Sequence, residues 1–242
     1  MHKKANKIYN FLKRNRRFNK AFQATYWHNI ISPNKSRKDK AYALLHNVIF
    51  TQAQPKLDKI KVYLEGVYRD PTALKSFKGF CKYHNLKSDA SYLELFKQMQ
   101  GKKGLGPKTT ALFIKNIIQL HAHAGNEEIK FWRDVPPVLI NDEVFLPVDA
   151  VIKDVFPRID RHRNTFKSIN KFLQAEDEWK NNLIWDDLWF WGFITQKGSK
   201  SPRKLVFNES KYWLQPHSKK DSKTISLIKK RGNEFIGLLK SK

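Results

Sequence analysis

A chain of 242 residues with 47 Lys and Arg against 22 Asp and Glu carries a formal net charge of +25 and a sequence pI near 10.0. Its 40% hydrophobic and 13% aromatic content is enough to build a buried core, which excludes a disordered basic tail. Self-repulsion on this scale opposes the compact state, so an ordinary small-molecule enzyme is excluded and a polyanionic partner, nucleic acid first, is implied.

In chain order, the opening MHKKANKIYNFLKRNRR is charged but has no apolar stretch of its own, so it reads as no secretory signal. Ile8, Phe11 and Leu12 recur there at helical spacing, and residues 1–38 are expected to form a basic helical extension. Residues 39–53 place Ala41, Leu44, Leu45, Val48 and Ile49 on one helical face and stop before Pro55. Residues 56–67 repeat the pattern with Leu57, Ile60, Val62, Tyr63 and Leu64. Asp70-Pro71 reads as a cap with proline in the first turn, and Ser88 or Asp89 can cap a helix carrying Leu93, Leu95, Phe96 and Met99. Cys81, the single cysteine, reads as a small buried apolar residue. Alone it makes no internal disulfide and no cysteine-based metal cage, which suits a reducing intracellular compartment, cytoplasm or nucleoid.

Residues 101–107 are too rich in glycine for a helix interior, and a new helix runs from Pro107 through Leu112, Phe113, Ile117 and Leu120. Val138-Leu139-Ile140 and Val144-Phe145-Leu146 flank Asn141-Asp142, which predicts a small β-hairpin over about 136–147. Helices are predicted at 149–156, 163–174 and 178–195, then a basic loop over 197–204 and a last amphipathic helix over 221–239. The organisation expected is thus an extension over 1–38, a core over 39–196 and a basic C-terminal loop and helix over 197–242 packed on it. No stretch approaches the roughly 18 apolar residues of a membrane span.

The chemistry concentrates at helix, Lys103-Gly104-Leu105-Gly106-Pro107-Lys108, helix, with the hairpin spanning 101–108. Two glycines two apart permit a sharp turn and leave backbone amides bare beside a helix N-terminus, where the macrodipole favours a phosphate. Such a helix–hairpin–helix clamps a nucleic acid backbone without reading sequence. Lys108, one residue into the helix, lies at the positive end of that dipole, which disfavours its ammonium form and suits an amine nucleophile. Asp149 in Pro147-Val148-Asp149-Ala150 can cap the helix that follows, a carboxylate among apolar neighbours. His121 and His123 are two apart on a helix and point different ways, so no metal site is expected.

Gly104-Leu105-Gly106-Pro107-Lys108-Thr109-Thr110-Ala111 followed by Pro147-Val148-Asp149 resembles the signature of the helix–hairpin–helix superfamily of DNA glycosylases, the HhH-GPD group. It is similar to the branch with a lysine at the catalytic position. ALLHNVIFTQAQ within 41–54 also resembles that family's early helix, and the likeness covers roughly residues 40–195. It implies a mostly α, two-lobed helical bundle carrying the hairpin and a small β-hairpin insertion. It implies that Lys108 attacks the sugar C1′ as a damaged base leaves, and that Asp149 stabilises the oxocarbenium-like sugar and assists deprotonation of the lysine. β-Elimination from the resulting imine would nick the strand. One cysteine cannot supply the four-cysteine iron–sulfur loop of the endonuclease III-like members, so no cofactor is expected. The extra N-terminal sheet domain of eukaryotic 8-oxoguanine glycosylases is not expected either. Lys108 and Asp149 lie 41 apart, longer than the family's usual gap, and the predicted β-hairpin fills the difference. These departures are closest to the archaeal-type 8-oxoguanine glycosylases, which makes 8-oxoguanine in double-stranded DNA the expected substrate of a monomeric enzyme.

A base to be excised leaves the stack and enters a pocket with aromatic walls. Asp187 and Trp191, four apart on a late helix, are the residues the resemblance suggests for base-edge hydrogen bonding and stacking. Lys115, two turns after Lys108, shares its face, and Gln52 and Gln54 are candidates for entering the duplex or touching the base. Lys102, Lys103, Gly104, Gly106 and His162 are candidates for the DNA backbone. Two other readings stand beside this one: a glycosylase for uracil, mismatched thymine or an alkylated or modified base, and a non-catalytic hairpin module that only holds DNA.

Overall fold

The computed structural model describes residues 3–122, 127–139, 142–175, 182–211 and 221–241. The protein is mostly helical, with two compact units: Trp27–Pro147, and Met1–Tyr26 together with Val148–Lys242. This division crosses the expected limits at 38/39 and 196/197. The N-terminal basic helix, α1 (Lys3–Ile31), is no appended arm, because Ile8, Phe11 and Leu12 have no exposed surface.

Within 27–147, α2 (Arg37–Ile49) starts where Ser36 accepts the Asp39 amide, and it buries the predicted face of Ala41, Leu44, Leu45, Val48 and Ile49. Helix α3 (Leu57–Arg69) buries Ile60, Tyr63, Leu64 and Val67. Leu57 and Val62, expected on that face, are 58% and 71% exposed. Asp70 begins no helix. It ends α3 and accepts the amides of Thr72 and Ala73 in a turn. Helix α4 (Phe77–Tyr83) is capped by Ser76 instead. Helix α5 (Tyr92–Gln100) is capped neither by Ser88 nor by Asp89 but by Ser91, in a reciprocal box with Glu94. Helix α6 (Pro107–Ala122) follows the glycine turn and packs on α2 and α5.

The predicted β-hairpin is not formed. Residues 136–139 and 142–149 contain no strand, and Ile140 and Asn141 lie outside the described residues. Pro136 and Pro137 have no ladder donor to give. The Asp142 carboxylate accepts the Leu139 amide at 2.7 Å, closing a local turn in place of a two-strand register. Val144 and Leu146 are nevertheless buried, and Phe145 lies 4.4 Å from the Phe96 ring, so the segment packs as an extended cover.

In the other unit, α1 contributes residues 3–26 to a set formed by α7 (Ala150–Val155), α8 (Phe166–Gln174), α9 (Asn182–Trp185), α10 (Asp187–Ile194) and α11 (Ser222–Lys240). The predicted helix over 178–195 is thus broken at Asp186, with 178–181 outside the described residues. Phe11, Phe18, Phe190 and Phe235 surround Trp191. A Cβ on Gly192 would meet Val151 and Val155 side-chain atoms at 2.8 and 2.9 Å, so only glycine lets α7 lie this close to α10. The expected loop over 197–204 is bounded by the strands found among the described residues, β1 (Gln196–Lys197) and β2 (Lys204–Leu205), antiparallel with Gln196 opposite Leu205. Buried Asp154 fastens the turn between them, accepting from Ser201 Oγ at 2.7 Å and the Arg203 amide at 3.0 Å.

Candidate functional site

The two residues with the strongest chemical claim fall in different units, Lys108 in 27–147 and Asp149 in the other. Each is therefore built up in its own surroundings.

The hairpin turn closes with the Lys102 amide on Met99 O and the Leu105 amide on Lys102 O, both at 3.0 Å. Gly104 has φ +91°, and Leu105 is buried beneath the turn. Gly106 sits immediately before α6, its carbonyl accepting the Thr110 amide at 3.0 Å. A Cβ there would meet nothing within 4 Å. Glycine has no side-chain acceptor to offer the amides of Lys108 and Thr109, Pro107 has no amide, and the first turn holds no acidic residue. This is the arrangement an approaching anion requires. Lys103 is exposed and Lys102 half-buried beside it.

The loop after α2 braces the hairpin. Gln52 Nε2 donates to Gly104 O at 3.2 Å, and Lys108 Nζ donates to Thr51 O at 3.2 Å and to Thr51 Oγ1 at 3.4 Å. The Lys108 amine thus sits at the carbonyl end of α2, near the start of its own helix. Thr51 is the partner that sequence spacing did not reveal. Gln54 is exposed and Gln52 is tied to the turn, which separates two residues the sequence left equivalent. Lys115, expected to share a pocket with Lys108, is buried in α6 with only 3% of its surface exposed.

Asp149 caps α7. Its Oδ1 accepts the amides of Val151 and Ile152, each at 2.9 Å, and its Oδ2 accepts Trp189 Nε1–H at 3.0 Å. Trp189 and Phe193, one turn apart on α10, are half-buried and stacked, with centroids 5.1 Å apart and planes 8° from parallel. Lys211 Nζ stands 4.8 Å above the Phe193 ring and donates to Phe193 O and Gln196 O. Burial, with the Arg203 guanidinium adding to it, lowers the Lys211 pKa.

The expected pocket pair lies on the opposite side of that helix. Trp191 has no exposed surface and is a core residue, so it offers no face to a base. Asp187 is 2% exposed, accepts Asn19 Nδ2 at 2.6 Å on Oδ1 and has Arg16 Nε 3.9 Å from Oδ2. At about 100° per residue, position 189 is roughly 160–200° from 187 and 191 around the helix. The half-exposed aromatic face of α10 therefore carries Trp189 and Phe193.

His162 is exposed, and its amide donates to Asp160 Oδ1 at 3.0 Å. Among the described residues no group of three or more His, Cys, Asp or Glu could hold a metal ion, and His123 lies outside them. No helix of the described residues is long and apolar enough to cross a membrane. No protein-family model, no curated protein and no solved structure matches the chain.

Proposed function

We propose that this protein is a DNA glycosylase with an associated lyase step, acting on a damaged base turned out of duplex DNA. The observation that carries the reading is the hairpin: Gly104 at φ +91°, Gly106 facing open space, and a lysine amine beside the turn. In this reading DNA phosphate meets the amides at the start of α6, and the surplus of 25 positive charges supplies a grip independent of sequence. The Lys108 amine leaves Thr51 and bonds to C1′ as the glycosidic bond breaks and the base departs with its electron pair. The amine loses a proton, its lone pair opens the C1′–O4′ bond as O4′ takes up a proton, and the resulting imine loses a C2′ proton as the 3′ C–O bond breaks and the phosphate leaves. Asp149 stabilises the cationic sugar.

The test is borohydride trapping on duplexes carrying one lesion each, with 8-oxoguanine first, then uracil, mismatched thymine, an alkylated purine and a modified base. A covalent adduct with the native protein that disappears in Lys108→Gln supports the reading; an adduct undiminished in Lys108→Gln sinks the lysine assignment. A second reading, a hairpin that only holds DNA, is favoured by the internal use of both groups, Lys108 on Thr51 and Asp149 as a helix cap. Tight binding with every lesion left intact decides for it.

A further inference from the structure

A capping aspartate needs only backbone amides. Asp221 caps α11 by accepting the amides of Lys223 and Thr224 at 3.0 and 3.1 Å, with the Thr224 hydroxyl as its other donor. Asp149 satisfies two amides with Oδ1 alone, and its other oxygen is held by an indole from a helix 40 residues away. That indole bond adds nothing to the cap. An indole N–H can only donate, so it demands an acceptor at Oδ2 and fixes the plane of the carboxylate. The indole is itself held, flat against Phe193 and with the Phe22 ring 6.3 Å away. Its stack is an i, i+4 pair on one helix, so its direction is set by α10.

We infer that Trp189 is a positioning residue for Asp149: its N–H, braced by Phe193, occupies one lone-pair site of Oδ2 and aims the other. The inference rests on the glycosylase reading and deepens it. Asp149 is half-buried, and a carboxylate that stabilises a developing cation works only when its oxygen is already aimed at the place where charge appears. Without the indole the acid still caps α7 through Oδ1 but loses the constraint on Oδ2.

Trp189→Phe keeps a ring on Phe193 and removes only the donor. Single-turnover excision of the lesion that the native protein removes fastest should fall by roughly 10- to 100-fold, the cost of a small misplacement of a reacting group. Affinity for a duplex carrying an uncleavable abasic analogue should stay within about twofold, since the change acts in the transition state. In the Asp149→Asn background the same substitution should cost less than about twofold, because the two groups act as one unit. The indole N–H resonance that Trp189→Phe removes should move upfield in Asp149→Asn. Equal losses from Trp189→Phe in both backgrounds, an unmoved indole resonance, or undiminished excision would each overturn the positioning role while leaving the glycosylase reading intact. Absence of excision from every lesion would fail that reading and the positioning role with it.

Discussion

Gly104 and Gly106 stand two residues apart in one turn, and alanine at each should do opposite things. At Gly104 the backbone has φ +91°, where an L-residue costs about 1–2 kcal/mol. A Cβ would also stand 3.0 Å from Ile60 Cγ1 and 3.2 Å from the Ile60 backbone nitrogen. The side chain can yield a few tenths of an ångström, whereas the backbone of α3 yields less, so the total is about 2–3 kcal/mol. For a chain of this size that lowers Tm by roughly 4–12 °C. At Gly106 the added methyl meets nothing within 4 Å and the backbone is not left-handed. Stability should therefore hold or rise by about 0.4–1 kcal/mol, because the unfolded chain loses freedom. The same methyl occupies open space at the start of α6, and if DNA phosphate approaches there, duplex affinity should fall by about tenfold or more, the loss of one strong charge-assisted contact. Thermal melts and fluorescence anisotropy on both variants separate the two effects. An unchanged Tm in Gly104→Ala would refute the strain reasoning, and native-like duplex binding by a folded Gly106→Ala would refute the claim that the turn faces DNA.

Burial, with Lys102 adding to it, pushes the His84 imidazole from 6.5 down to about 3. The unfolded chain binds that proton and the folded chain does not, so the contribution is full above pH 6.5 and falls by about 1.4 kcal/mol per pH unit toward pH 3. Urea midpoints between pH 7 and 5 should accordingly fall less steeply in His84→Asn than in the native protein. Cys81 is fully buried and burial pushes its thiol up to about 12, so Ellman's reagent at pH 8 should label it only after denaturant is added, and rapid labelling of the native protein would contradict the packing of α4. Duplex affinity measured from 50 to 200 mM salt should give a log–log slope of about −4 to −6, the value for roughly five to seven neutralised phosphates, and a slope near zero would remove the electrostatic grip.

What sequence could reveal was set by how local each interaction is. The buried face of α2 follows from residues within 13 positions of one another, and the period alone selects it. Asp149 as a cap is equally local, since its acceptors serve residues two and three ahead. The face of α10 was not legible because Asp187-Leu188-Trp189-Phe190-Trp191-Gly192-Phe193 is apolar nearly all round, and a period cannot choose a side of such a helix. Packing against α1 chose it: Asn19 reaches Asp187 across 168 positions, and Phe11 and Phe18 close over Trp191. Thr51 was hidden for the same reason, lying 57 positions from the lysine it receives. The predicted strands failed on a different count. The apolar runs Val138-Leu139-Ile140 and Val144-Phe145-Leu146 on either side of Asn141-Asp142 predict paired strands, but the burial of Val144 and Leu146 needs only an extended segment lying on a core, not a partner strand.

The distribution of carboxylates gives the net charge its structural meaning. Glu94, Asp149 and Asp221 complete helix starts. Asp134 accepts the amides of Phe77 and Lys78 at the head of α4. Asp70 closes a turn, and Asp154 fastens the β1–β2 connection with Arg158 at 3.3 Å. Acidic groups committed to backbone amides in this way are poorly placed to neutralise lysines spread over the surface, and Glu94, Asp134, Asp149 and Asp221 complement helix N-termini instead. Helix α6 receives no such group from its own first turn and begins on glycine. The start of α6 lies beside Lys103 and Lys108, and under the proposed function the anion that completes it is a DNA phosphate.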